Sequence, residues 1–222
     1  MLRILSTSLA CIFSYPDIID RKDLASYLKE KGYTLPTMKR EEILTSSGFP
    51  IGEAFAEPPI VAYKIDGTDK IDILYNNNAK LAGFPSSSFV SVVSGDFERT
   101  YETFKLIQSY ISDRDISNEI KIYEATFTGL MEKDGLKERV YSFLHPEDAR
   151  KFENVLYQTP TLVSFRIRGD NPQTPNWYDL MIDTSVSENP KLSLIRLVIR
   201  FSEPTEYLKI NDKIREIVAV IE

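Results

Sequence analysis

One cysteine and one histidine occur in 222 residues. A lone cysteine excludes an intramolecular disulfide framework. One Cys and one His cannot build a Cys/His zinc site within the chain. No run of about 18 apolar residues exists, so no membrane-spanning helix is expected. Positive charge is not in excess either: 27 Lys and Arg stand against 33 Asp and Glu, for a net charge of −6. That removes the general electrostatic reason to bind nucleic acid or an anionic membrane. Glycine-rich phosphate loops, nucleophile elbows and His-Glu-x-x-His helices are missing. Acid–base and nucleophilic catalysis normally want a placed histidine or a carboxylate pair, so no enzyme is expected.

What is present suits a folded domain. Hydrophobic residues make up 42% and aromatic residues 11%, enough to build a packed core. The first segment, Met1 to Phe13, is apolar but broken by Ser6, Thr7 and Ser8. It reads as a strand rather than an export signal, and a cytoplasmic location is expected, or nuclear in a eukaryote. Asp20 is a candidate cap for a helix over Arg21 to Lys31, with Gly32 at its left-handed end. From Thr34 to Pro59 the density of Pro and Gly marks a linker or a wrapped loop.

Period-two alternation then predicts a hairpin over Ile60 to Asn76, turning at Asp66-Gly67-Thr68-Asp69. Asn76-Asn77-Asn78 is read as the cap of a short helical piece that ends at Gly83. A longer helix follows Asp96, with an aromatic stripe of Phe97, Tyr101 and Phe104. Ile120 to Leu130 is a predicted strand, and His145-Pro146-Glu147-Asp148 opens a further helix. Three strands run in succession: Val163 to Arg168, Trp177 to Asp183 and Ile195 to Phe201. Their clean alternation and short connections imply an antiparallel sheet with one covered face. A last helix after Pro204 carries Tyr207, Ile210, Ile214, Ile217 and Ile221 on one stripe.

The order of these pieces resembles a PAS domain. Ile65 to Phe84 is similar to the family's opening hairpin, Asn and Gly-aromatic run, and Ser86 to Phe89 stands where the next small helix begins. Phe143 to Phe152 resembles the His-Pro-acid-Asp start of the long PAS helix. Ser164 to Arg168, Asn176-Trp177-Tyr178 and Leu197 to Ser202 resemble the three closing strands. The resemblance implies an α+β fold: a PAS-like domain over residues 57–203 with an insertion at about 90–142. An N-terminal extension (1–56) precedes it, and a signalling-type helix (204–222) follows. It implies a non-catalytic sensory or regulatory module that binds a small apolar or mixed ligand, a protein partner, or a second copy. Its output would pass through the last helix or a dimer interface. The other reading is a ligand-free interaction scaffold or transcriptional co-regulator.

The expected pocket lining is Phe152, Phe165, Tyr178, Leu180, Ile195 and Leu197, with Tyr101 and Phe104 as its cover. Some PAS domains hold haem through a histidine on this helix, but His-Pro also occurs in members without haem. His145 is therefore expected to be structural, with no cofactor and no metal. Cys11 lies outside the PAS-like region and reads as a small buried hydrophobe. Arg166, Arg168, Arg196 and Arg200 share one alternating class in two strands. They form either an ordinary solvated face with Asp179 and Asp183 as counter-charges, or a surface for an acidic partner or anionic ligand. Trp177 either covers the sheet or anchors an interface.

Overall fold

In the computed structural model, residues 2–36, 60–132, 134–142, 164–186 and 191–221 are described, with single positions at 147, 150, 151, 155, 162 and 189. The strands are β1 (Leu2–Phe13), β2 (Ile60–Asp66), β3 (Asp69–Leu81), β4 (Phe84–Ser94), β5 (Ile120–Glu132), β6 (Ser164–Arg168), β7 (Tyr178–Asp183) and β8 (Leu192–Phe201). They form one antiparallel sheet in the order β2-β3-β4-β1-β5-β8-β7-β6. The described helices are α1 (Arg21–Glu30), α2 (Phe97–Asp113), α3 (Leu136–Tyr141) and α4 (Ile210–Ile221). The molecule is α+β, as expected.

Local chemistry explains the helix ends. The Asp20 carboxylate accepts from the amides of Lys22 (2.7 Å) and Asp23 (3.3 Å) at the start of α1. At its far end, Gly32 takes φ +83°, a conformation that costs glycine nothing. Asp96 caps α2 through the Arg99 amide at 2.9 Å. Pro204 opens a short 3-10 turn that runs into α4.

Alternation sorts the sheet into two unlike faces. Leu9, Cys11 and Phe13 of β1, Val90 and Val92 of β4, Ala125 and Phe127 of β5, and Ile195, Leu197 and Ile199 of β8 point one way and are buried. Leu24 and Leu28 of α1, Phe104, Ile107 and Ile111 of α2, Val140 of α3, and Ile210 and Ile214 of α4 join them in a single core. Aromatic pairs seal it: Phe97 stacks on Phe127 (6.1 Å) and Phe104 meets Tyr123 edge-on (6.1 Å). The opposite face carries Ser6, Ser8, Thr126, Thr128 and Val198, all partly exposed. All the described helices put their buried residues on the first face.

Several expectations change. The run Asn76 to Gly83 is not helical; up to Leu81 it prolongs β3 as an irregular strand with register shifts at Asn76/Ala79 and Ala79/Leu81, and Ala82-Gly83 is the turn into β4. The Asn76 side chain does accept an amide, that of Asn78 at 3.0 Å, but the bond makes a local turn inside the strand instead of capping a helix. Ser86 to Phe89 belongs to β4, where Ser87 and Ser88 are buried and Phe89 pairs with Ile12 and Asn76. β1 and β5, from the stretches read as extension and insertion, are the two middle partners that join the hairpin half to the closing strands. The hairpin β2–β3 and the closing strands β8-β7-β6 therefore sit at opposite ends of the sheet. Val163, His145 and most of the helix expected after His145 lie outside the described residues.

Candidate functional site

The four arginines start from the register. Arg166 lies opposite Met181, and Met181 opposite Arg196; Arg168 lies opposite Asp179. Arg200 lies opposite Glu124 of β5. All four thus project from the face opposite the described helices, as alternation predicts. Their environments diverge. Arg166 forks onto Asp179, with Nε to Oδ1 at 2.6 Å and a second contact between Nη2 and Oδ2. That guanidinium holds the Asp179 carboxyl below the usual carboxylate range. Arg168 and Arg196 are exposed.

Arg200 departs from the expected surface patch: it is 1% exposed. Its Nε donates to Glu124 Oε2 at 2.8 Å and its Nη2 lies 2.7 Å from the same oxygen. Its Nη1 donates to the carbonyl of Ala82 at 2.6 Å and to that of Pro172. The guanidinium lies 4.5 Å from the Trp177 ring centroid and 5.0 Å from that of Phe84. Burial comes from the loop between β6 and β7, which reaches across the sheet to the β3–β4 turn. There the Gln173 side-chain amide donates to the Gly83 carbonyl at 2.8 Å. Gly83 holds φ +78°, and a Cβ there would sit 3.0 Å from both Gln173 and Pro172. Trp177 closes the corner, with Nε1 donating to the Gly169 carbonyl at 2.8 Å. Beneath it Ile12, Phe84 and Ile122 form a second small apolar cluster. Burial pushes the Glu124 carboxyl up against the pull of Arg200. Every Arg200 nitrogen has a protein partner, so this corner is a structural clasp.

The expected pocket residues fall in another region. Phe104, Leu180, Ile195 and Leu197 are part of the main core, and Phe165 and Tyr101 pack against its edge. Tyr178 is 40% exposed at the β6–β7 corner. Phe152 lies outside the described residues. Cys11 is fully buried, and its thiol is pushed up to about 12 by burial, which keeps it protonated and unreactive. An open hollow lies at the β2–β3 turn and the start of α2, lined by Asp66, Gly67, Thr68, Asp69, Gly95, Asp96 and Arg99. Arg99 already lies 3.3 Å from Asp66. Among the described residues no group of His, Cys, Asp and Glu is arranged to hold a metal, and no helix is long and apolar enough to cross a membrane.

Glu124, Phe84, Ala82 and Pro172 are the members of the clasp that the sequence reading missed. One signal was available: Glu124 is a lone carboxylate inside the apolar strand run IKIYEATFTGL. A charge in a buried strand implies an opposite charge beside it. No protein-family model matches the chain, and the comparison with curated proteins gives no significant match.

Proposed function

We propose that this chain is a non-catalytic regulatory module that works through protein contacts made by the sheet face opposite its described helices. The observation that carries the reading is the asymmetry of that sheet. One face is buried under every described helix. The other keeps Ser6, Ser8, Thr126, Thr128 and Val198 partly exposed beside exposed Arg168 and Arg196. Antiparallel sheets tolerate one wet face, and small hydroxyl side chains let a partner approach closely while offering it donors and acceptors. The partner surface is acidic, because the exposed charged side chains of strands β6 and β8 on this face are Arg166, Arg168 and Arg196, on a chain whose total is −6. The resemblance to a PAS module is supported by the consecutive closing strands β6, β7 and β8 and by the buried Tyr207, Ile210 and Ile214, which dock the last helix and the turn before it.

Site-specific photocrosslinking in cells tests it. A photoreactive residue at Thr126 or Val198 should capture a protein that the same residue at Lys105, exposed on α2, does not. Adducts confined to the α2 position would refute the reading. Native mass spectrometry and an absorbance scan of the purified chain test the ligand-sensing alternative. A stoichiometric co-purifying small molecule would replace a contact-driven mechanism with a ligand-driven one.

A further inference from the structure

We infer that β6 is an addition edge for an extended partner segment in which acidic and apolar residues alternate. This rests on the protein-contact reading and specifies the partner's chemistry. β6 ends the sheet, and no described strand pairs with its outer side. Ladder geometry settles which backbone groups point outward. The Gly169 amide donates to the Tyr178 carbonyl at 2.9 Å. Hydrogen-bonded pairs alternate along an antiparallel ladder, so Ile167/Leu180 and Phe165/Ile182 are the bonded pairs that follow. The N–H and C=O groups of Arg166 and Arg168 therefore face away from β7. The other edge of the sheet is treated differently. There Tyr63 of β2 exchanges two backbone bonds of 2.8 Å with Thr34, which blocks it.

The side chains of β6 write the rest of the specification. On one side of the edge stand Arg166, Arg168 and, one strand further in, Arg196, around a single carboxylate, Asp179. Asp183, the next carboxylate on that side, is turned to the amide and hydroxyl of Ser185. On the other side Ile167 is 47% exposed and Tyr178 is exposed diagonally from it. An antiparallel strand bonded to Arg166 and Arg168 places its opposite residues on the arginine side and its intervening residue over Ile167. Acidic–apolar–acidic is the sequence that fits both sides. A second copy of β6 is the wrong occupant, because antiparallel self-pairing sets arginine against arginine.

The probe is a fluorescein-labelled peptide with a Glu-Val-Glu-Val-Glu core, compared with its Lys-Val-Lys-Val-Lys counterpart on the full chain. The acidic peptide should bind, the basic one should not, and added salt should weaken binding. Amide exchange by NMR should slow at Arg166 and Arg168. Arg168→Glu replaces an attraction with a repulsion and should weaken binding about tenfold. Arg168→Pro removes an outward donor without touching the β6–β7 ladder and should abolish it. Should that variant fail to fold, a peptide N-methylated at its glutamates removes the same bonds from the other side. It should lose binding, whereas methylation at the valines should be tolerated. Protection at amides away from β6, equal binding of the basic peptide, or full binding of the glutamate-methylated peptide would each overturn the edge assignment. If the edge fails while the Thr126 adduct persists, only this inference falls. Loss of both removes the contact reading as well.

Discussion

Arg200 and Arg114 each hold a carboxylate through two nitrogens, Arg200 in a buried corner of the sheet and Arg114 on the rim of the helix layer. Arg114 forks onto Asp23, with Nε to Oδ2 at 2.7 Å and Nη2 to Oδ1 at 2.8 Å, and so ties α2 to α1. The Tyr110 hydroxyl adds a third bond to Asp23 at 2.8 Å, and Arg114 lies 4.3 Å from the Tyr110 ring centroid. Both of these charges remain in partial contact with water. Arg200 and Glu124 do not share that exit: the arginine side chain is 2% exposed and also carries two backbone carbonyls from separate loops. The same chemistry therefore does two jobs. The outer pair adds orientation to helices that the apolar core already holds. The inner pair is the means by which the β6–β7 loop and the β3–β4 turn are fastened to the sheet. An ion pair matters in proportion to what its loss would strand.

The largest effect should follow from separating the inner pair. Arg200→Met leaves the Glu124 carboxylate buried without its counter-charge and frees the carbonyls of Ala82 and Pro172. A loss of about 3–5 kcal/mol is expected in urea denaturation. Combining it with Glu124→Leu should recover much of that loss, because an apolar pair of similar volume needs no compensation. A single-variant loss within measurement error would mean that the corner admits water. Next in size is Trp177→Phe, which keeps most of the cover but leaves the Gly169 carbonyl without its donor and weakens the stacking on Arg200. About 1–2 kcal/mol is expected, with proteolytic cutting in residues 169–177 as a second readout. Arg114→Met should cost less than either. That deficit should shrink further as salt is raised, whereas the Arg200→Met deficit should not.

The same contrast governs what could be read in the sequence. Several local signals were sound. Asp20 and Asp96 cap α1 and α2, Gly32 ends α1, and alternation in Ile195 to Phe201 puts Arg196 and Arg200 on the face opposite Leu197. Asn76-Asn77-Asn78 misled because an asparagine accepting a nearby amide looks alike at a helix start and in a turn within a strand. The inner position of β1 had no local signature, since its pairing with β4 joins residues such as Cys11 and Val90 that are far apart in the chain. Arg200 shows the limit most clearly. Periodicity assigned its face but not its burial, which depends on a Pro- and Gly-containing loop folding over it from another strand. Arg168 and Arg196, in the same alternating class, are exposed.

The smallest predicted effect also separates the two clasps most sharply, because their pH dependences have opposite signs. Arg114, and then the Tyr110 hydroxyl, hold the Asp23 carboxyl below its usual range. The unfolded chain therefore takes up a proton there before the folded one does. The stability it contributes is present above the ordinary aspartate value of about 3.9 and is lost as pH falls through the lower folded value. For Glu124 burial outweighs the pull of Arg200 and raises the folded value. Its contribution is greatest below the ordinary glutamate value of about 4.3 and declines as pH rises through the raised one. Stability curves of the parent, Asp23→Asn and Glu124→Gln over pH 2.5 to 7 resolve the two. The difference between parent and Asp23→Asn should grow with rising pH, and the difference between parent and Glu124→Gln should change in the opposite direction. Equal signs would mean that the pull of Arg200 outweighs burial at Glu124, so that the inner clasp lowers its carboxyl just as the outer one does.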